Sequence, residues 1–135
     1  MAAFIMKNAY LTINGVALSD HVTSVTFNRE ADQIETTAMG DNTRTYIGGL
    51  QTGTIDLEMN QDLASGEVEA TCYTLLGTET AVVVKNDAAA TSATNPSYTF
   101  NVLVTELPSV NGSVGELSTV SVSWPITGDV TKATS

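Results

Sequence analysis

Few side chains in this sequence are able to do chemistry, and their spacing does not gather them. His21 is the only histidine. It follows Asp20 at the start of a strand-like run, where a His–Asp neighbour pair is ordinary corner chemistry. A cage of histidines around a metal is therefore excluded, and any Ser–His–Asp arrangement would rest on this one ring. Cys72 is the only cysteine, and its place on an apolar stripe makes it a small core residue rather than a nucleophile. Gly112-Ser113-Val114-Gly115 lacks the spacing of a nucleophile elbow and follows a loop instead of a strand. No glycine-rich loop is present to cradle a phosphate. Asp56, Glu58, Asn60 and Asp62 form an acidic row of the oxygen donors that hard cations prefer. Residues two apart on a straight strand are about 7 Å from each other, too far to wrap one ion. The row reads as an acidic face turned to water, or to something that must not stick. Asn111-Gly112-Ser113 matches a glycosylation acceptor, a match of little weight without a secretory leader. No catalytic residue, metal or cofactor is expected, and the chain is not expected to be an enzyme.

The composition bounds what else it can be. At 135 residues the chain reads as a single domain, 1–135, large enough for its own core. Fifteen Asp and Glu stand against five Lys and Arg, a formal net charge of −10. That balance is the reverse of the cationic footprint needed to hold a phosphate backbone. It suits a surface that repels nucleic acid or simply stays soluble. One cysteine permits no internal disulfide. The opening MAAFIMKNAY has no basic start followed by an apolar run, so no secretory signal is expected. No stretch approaches 18 consecutive apolar residues, so no membrane span is expected.

The elements that must position these residues are mostly strands. Tyr10 to Leu18 reads as a hairpin about Asn14-Gly15, a pair suited to the positive φ of a type I′ turn. Val22 to Phe27 follows as a strand. Gly53 to Asn60 alternates Ile55, Leu57 and Met59 against Thr54, Asp56 and Glu58. Residues 65–76 read as the one helix, with Ser65 as N-cap, Gly77 as the stop, and Val68, Cys72, Leu75 and Leu76 as its buried stripe. Thr80 to Lys85 holds Ala81-Val82-Val83-Val84 and reads as a strand covered on both faces. Residues 86–96 are a small, polar connector. Tyr98 to Glu106 reads as a central strand, and residues 107–116 as a loop. Leu117 to Ile126 alternates Val120, Val122, Trp124 and Ile126, with Pro125 marking its end or an edge. Residues 127–135 read as a polar tail. The tally of six or seven strands and one helix predicts a mainly β fold: a β-sandwich or partly closed barrel with one flanking α-helix.

Asn28 to Leu50 fits none of these elements. It is polar, charged and weakly periodic, and connections beyond about 12–15 residues are uncommon in compact domains unless functional or disordered. Met39-Gly40-Asp41-Asn42 has turn chemistry. The segment is expected to be a long extended arm, a hairpin folded near Gly40, ordered by neighbouring subunits. Its charges are mixed in sign, which suits contacts with copies of itself. The expected contact residues are Arg29, Glu30, Asp32, Glu35, Met39, Asp41, Arg44 and Tyr46.

Taken in order, several segments resemble the major tail (tail tube) proteins of long-tailed bacteriophages. They are Leu11 to Val25, Ala38-Met39-Gly40, Tyr46-Ile47-Gly48-Gly49-Leu50, Asp56 to Asp62, Ser92 to Tyr98, Gly112 to Leu117, and Thr131 to Ser135. The resemblance spans nearly the whole chain, and it is the order of the segments that carries it. It implies a homo-oligomer of hexameric rings stacked into a tube in the virion tail, made in the host cytoplasm. It also implies contact with other tail proteins (tape measure, terminator), and passage of DNA along the lumen without specific binding. On this reading Asp56 and Glu58 face the lumen. The alternatives are a single-ring tail terminator or head–tail connector, and a β-sandwich ligand-binding module. The last would need an exposed aromatic platform, yet Tyr98, Phe100 and Trp124 all fall on the apolar faces of their strands.

Overall fold

A computed structural model describes residues 3–134. Met1, Ala2 and Ser135, which belong to the terminal stretches read above, lie outside them. The strands are β1 (Tyr10–Ile13), β2 (Val16–Ala17), β3 (Val22–Glu35), β4 (Tyr46–Asn60), β5 (Glu79–Lys85), β6 (Ser97–Leu103) and β7 (Thr119–Ala133). A 3-10 turn covers Ser19–His21, and the helix α1 is Val68–Tyr73. All seven strands form one antiparallel sheet in the order β2-β1-β5-β6-β7-β4-β3, which does not close on itself. The fold is mainly β, as expected.

The sheet folds over along β7. Residues Thr119–Pro125 of β7 pair with β4, and Ile126–Ala133 pair with β6. Pro125 was expected to end the strand or lie at an edge; the strand runs on past it, and Pro125 pairs with β4 alone, where β7 exchanges one partner for the other. The supposed polar tail is the strand's second half. Folding over brings β3 above β6, where the Phe27 ring stacks on Phe100 at 4.8 Å and lies 5.3 Å from Tyr98. One apolar core fills the space between, built on Leu11, Ile13, Ile55, Met59, Val82, Val102, Val120 and Trp124. Burial of each such aliphatic side chain contributes about 1.5–3 kcal/mol before entropy is charged against it. Glu106 closes the open side of β7. Its carbonyl accepts from Trp124 Nε1–H at 3.0 Å, and its carboxylate accepts from the Ser123 N–H at 2.9 Å.

Local sequence explains most of the turns. Asn14 (φ 53°) and Gly15 (φ 80°) make the expected β1–β2 turn. The helix is shorter than 65–76. Gly66 adopts φ 79°, a left-handed conformation that blocks an earlier start, and Glu67 occupies the N-cap without a side-chain cap bond. Ser65 therefore caps nothing. Val68 and Cys72 are buried and Leu75 packs against the core, while Leu76 is half exposed. Strand β5 is covered on one face only: Thr80, Val82 and Val84 are buried, whereas Ala81 is exposed. Its apolar run reflects β propensity rather than a second covering layer. The 86–96 connector closes around the buried Asn95, whose amide donates to the carbonyls of Asp87 and Ala89, both at 3.0 Å. Among the described residues, no helix is long and apolar enough to cross a membrane.

Candidate functional site

The expected arm is real as a hairpin, but it is strand rather than loop. β3 continues through Glu35, and β4 begins at Tyr46. The two stay paired from Asn28↔Thr54 to Glu35↔Tyr46, with a register shift between Ala31 and Gln33. β7 accompanies β4 only as far as Thr54↔Pro125. Beyond that point the hairpin is a two-stranded ribbon about 27 Å long, from eight residues at about 3.4 Å each. Both of its edges carry unpaired backbone groups, and residues 28–35 are exposed on both faces. Weak periodicity follows from that exposure, since neither face has a core to match.

The ribbon's tip is held by its own hydrogen bonds. The Thr36 N–H donates to the Thr45 carbonyl at 2.8 Å, and the Thr45 N–H donates to Thr37 Oγ1 at 2.9 Å. Gly40 takes φ 90°, the Asp41 N–H donates to the Ala38 carbonyl, and Asp41 Oδ2 accepts from the Ala38 N–H at 2.8 Å. Asp41 is thus partly committed to the turn, which charge reading alone does not reveal. Arg29 lies at the ribbon's root and donates through Nη2 to Gln51 Oε1. Glu30, Asp32 and Glu35 are exposed along β3, Met39 and Arg44 lie in the tip, and Tyr46 is half exposed at its return. Ile34 sits directly across from Ile47 with both in solvent, and Leu50 is 80% exposed. None of the three was among the expected contact residues; their apolar types inside a polar segment are the signal.

Asp56 and Glu58 project from the polar face of β4, opposite the buried Ile55, Leu57 and Met59. With Ser24, Glu106, Ser121 and Ser123 they line a shallow depression that has three carboxylates and no cation among the described residues. On the inner side, where β3 crosses β5 and β6, a cleft of about 360 Å³ opens between Phe27, Tyr98, Val84, Met6, Arg29 and Lys85.

His21 has more partners than its sequence neighbour. Its Nε2 is 2.5 Å from Glu67 Oε2, 3.5 Å from Asp20 Oδ1 and 3.7 Å from Asp62 Oδ2. The bond to Glu67 raises the imidazole pKa above 6.5 against the opposing effect of burial, and the fields of Asp20, Glu67 and Asp62 add to the rise. The His21–Glu67 bond ties the corner before β3 to the start of α1. Asp20, His21 and Glu67 each offer one ligand atom within 4.8 Å of the others, but the short bond to Glu67 already engages the His21 Nε2. Sequence spacing could not show that Glu67 reaches back 46 residues. Cys72 is buried, and desolvation followed by the field of Glu69 pushes its thiol pKa up to about 11.

No family model and no curated protein sequence matches this chain. Solved structures do. A chain from the virion of a native gene transfer agent particle superposes with a TM-score of 0.78 at 11% identity, covering 97% of this chain and 99% of its own. A chain from the tail of an empty gene transfer agent particle, with C6 symmetry, gives 0.66 at 12% identity over 92% of each. A chain from the six-fold symmetrised baseplate of the anti-feeding prophage gives 0.56 at 9% identity, covering 98% and 97%. At such identities the likeness is one of fold, and it extends over nearly the whole chain. The fold is thus one shared with chains of phage-like virion, tail and baseplate structures.

Proposed function

We propose that this chain is a structural subunit of a phage-type tail, which self-assembles into hexameric rings stacked as a tube and serves as a conduit for DNA. The observation that carries this reading is the β3–β4 ribbon, paired within itself, with residues 28–35 exposed and no further strand on its edges among the described residues. Long unpaired edges with exposed apolar side chains are a liability in a monomer, and pairing with another chain removes it. When the same two surfaces meet in every contact, the assembly closes as a ring or extends as a filament. The similarity in fold to chains of C6-symmetric tails supports closure with that symmetry.

The polar face that holds Asp56, Glu58 and Glu106 is our candidate for the lumen wall. A carboxylate-lined bore lets DNA slide, because no cation is offered to displace its counterions. The role is structural rather than enzymatic, in keeping with the suppressed thiolate of Cys72 and the internally satisfied His21. Other tail proteins would meet the tube at its ends. The fold similarity to a baseplate chain favours, as a second reading, a single ring at a tail end.

Electron microscopy of the purified, concentrated protein, with and without preformed tail ends as nuclei, tests the proposal. Hollow tubes support it, isolated rings support the second reading, and a chain that stays monomeric under both conditions refutes both.

A further inference from the structure

The two ends of the sheet order do not pair: β2 lies first and β3 last, with no ladder between them. Val25, Phe27 and Arg29 recur at every second position of β3 and so share its inward face. Val25 and Phe27 pack against the core yet stay partly exposed, because the unclosed sheet leaves that face without a full cover. With Val84, Tyr98 and Met6 they wall the cleft of about 360 Å³.

The charge of this cleft runs against that of the chain. Fifteen Asp and Glu stand against five Lys and Arg in the sequence, yet Arg29 and Lys85 both line the cleft and, among the described residues, no Asp or Glu does. The ion pairs among the described residues all belong to His21. The two cations have neutral partners instead. Arg29 Nη2 donates to Gln51 Oε1, and Lys85 Nζ donates to the Ala89 carbonyl at 3.0 Å and stands 4.5 Å from the Tyr10 ring centroid. The nearby acids are turned elsewhere: Glu30 accepts from Asn28 Nδ2 on the opposite face of β3, and Asp87 accepts from the Ala89 N–H. A guanidinium has five N–H donors and an ammonium three, so both cations keep donors for a further acceptor.

We infer that this cleft binds a small amphipathic carboxylate, its alkyl chain against Val25, Phe27, Val84 and Met6 and its carboxylate held by Arg29 and Lys85. The volume lies at the small end of the range for ligand sites. At about 30 Å³ per non-hydrogen atom, the share of one water in the liquid, the cleft takes about a dozen atoms. That is the size of a medium-chain fatty acid rather than of a protein segment. An inorganic anion would leave the apolar walls wet, and a neutral chain would draw nothing from the two cations. A nucleotide needs a free ring face for its base, and the Phe27 ring is already stacked on Phe100 at 4.8 Å. The site lies within one chain and does not depend on assembly.

Isothermal titration of the dispersed full chain with decanoate, decan-1-ol and acetate tests the inference. Decanoate should bind saturably at one site per chain. Decanol and acetate should each bind at least about ten-fold more weakly, since one lacks the charge-assisted hydrogen bonds and the other the buried chain. Arg29→Gln combined with Lys85→Gln, shown to be folded by circular dichroism, should weaken decanoate at least about ten-fold and leave decanol unchanged. If that variant does not fold, NMR of the wild type decides: the shifts on adding decanoate should centre on Val25, Phe27, Val84 and Tyr98. The inference is overturned by an absence of saturable binding, or by decanol or a nucleoside monophosphate binding as tightly as decanoate. Unchanged affinity in the folded double variant, or shifts centred elsewhere, overturns it equally.

Discussion

Cutting the ribbon off at its root separates folding from assembly. Residues 31–51 can be replaced by Asn-Gly, which joins the paired Glu30 and Thr52 through a two-residue turn suited to a hairpin. The excised part includes the Ile34↔Ile47 and Glu35↔Tyr46 pairs, all of whose side chains are at least 48% exposed or on the open ribbon. A lone two-stranded hairpin is at best marginally stable, because its cross-strand contacts are offset by the entropy of ordering its strands. None of the excised side chains belongs to the apolar core. The net change in stability is therefore within about 1 kcal/mol, a shift in Tm of about 3–5 °C for a chain of this size. Thermal melting followed by circular dichroism reads the stability, and analytical ultracentrifugation with electron microscopy reads the assembly. The expected product is a folded monomer that makes neither rings nor tubes. A drop in Tm beyond about 10 °C, or loss of the folded state, would show that the ribbon belongs to the core. Assembly that proceeds without it would refute its role.

Three further outcomes follow from local geometry. Because the folded pKa of His21 is raised above 6.5, the stability from its bond to Glu67 is fully present below that value and is lost as pH rises through the folded pKa. Tm should fall over that interval in the wild type and stay flatter in Glu67→Gln, and the single imidazole can be titrated directly by NMR. A methyl group at Gly53 would lie 2.9 Å from the Asn28 carbonyl oxygen and 3.1 Å from Ile126 Cδ1, whereas one at Gly48 meets nothing within 4 Å. Gly53→Ala should cost about 1–3 kcal/mol in chemical denaturation and Gly48→Ala less than about 0.5 kcal/mol; equal costs would contradict the geometry. Cys72, with its thiol pushed up to about 11, should resist alkylation at neutral pH until the protein unfolds, and rapid labelling of the native chain would show that it is accessible.

The sequence was most legible where one face of a strand is buried and the other wet. Ile55, Leu57 and Met59, or Val120, Val122 and Trp124, announce themselves by alternation, and Asn14-Gly15 announces its turn through the positive φ it requires. Residues 28–35 and 46–53 gave no such signal, since a ribbon wet on both faces imposes no period. The hairpin and its turn near Gly40 were still readable from turn chemistry. Pro125 misled because a proline usually stops a ladder, whereas here it falls where β7 changes partners. Ala81 to Val84 suggested a doubly covered strand from composition, but which face meets the core is a tertiary fact. The His21–Glu67 contact was invisible for the same reason: it joins residues far apart in the chain, and neither residue type is unusual where it stands.

Hydrogen exchange of the amides in residues 28–53, compared between the dispersed and the assembled protein, tests the central claim most directly. In the dispersed state the ribbon's unpaired edge amides should exchange rapidly, as open two-stranded structure does. Assembly should slow exchange along the outer edge of β3 and along residues 46–53 of β4, while the core amides of β5 and β6 change little. Assembled protein whose ribbon exchanges as fast as in the monomer would contradict the account.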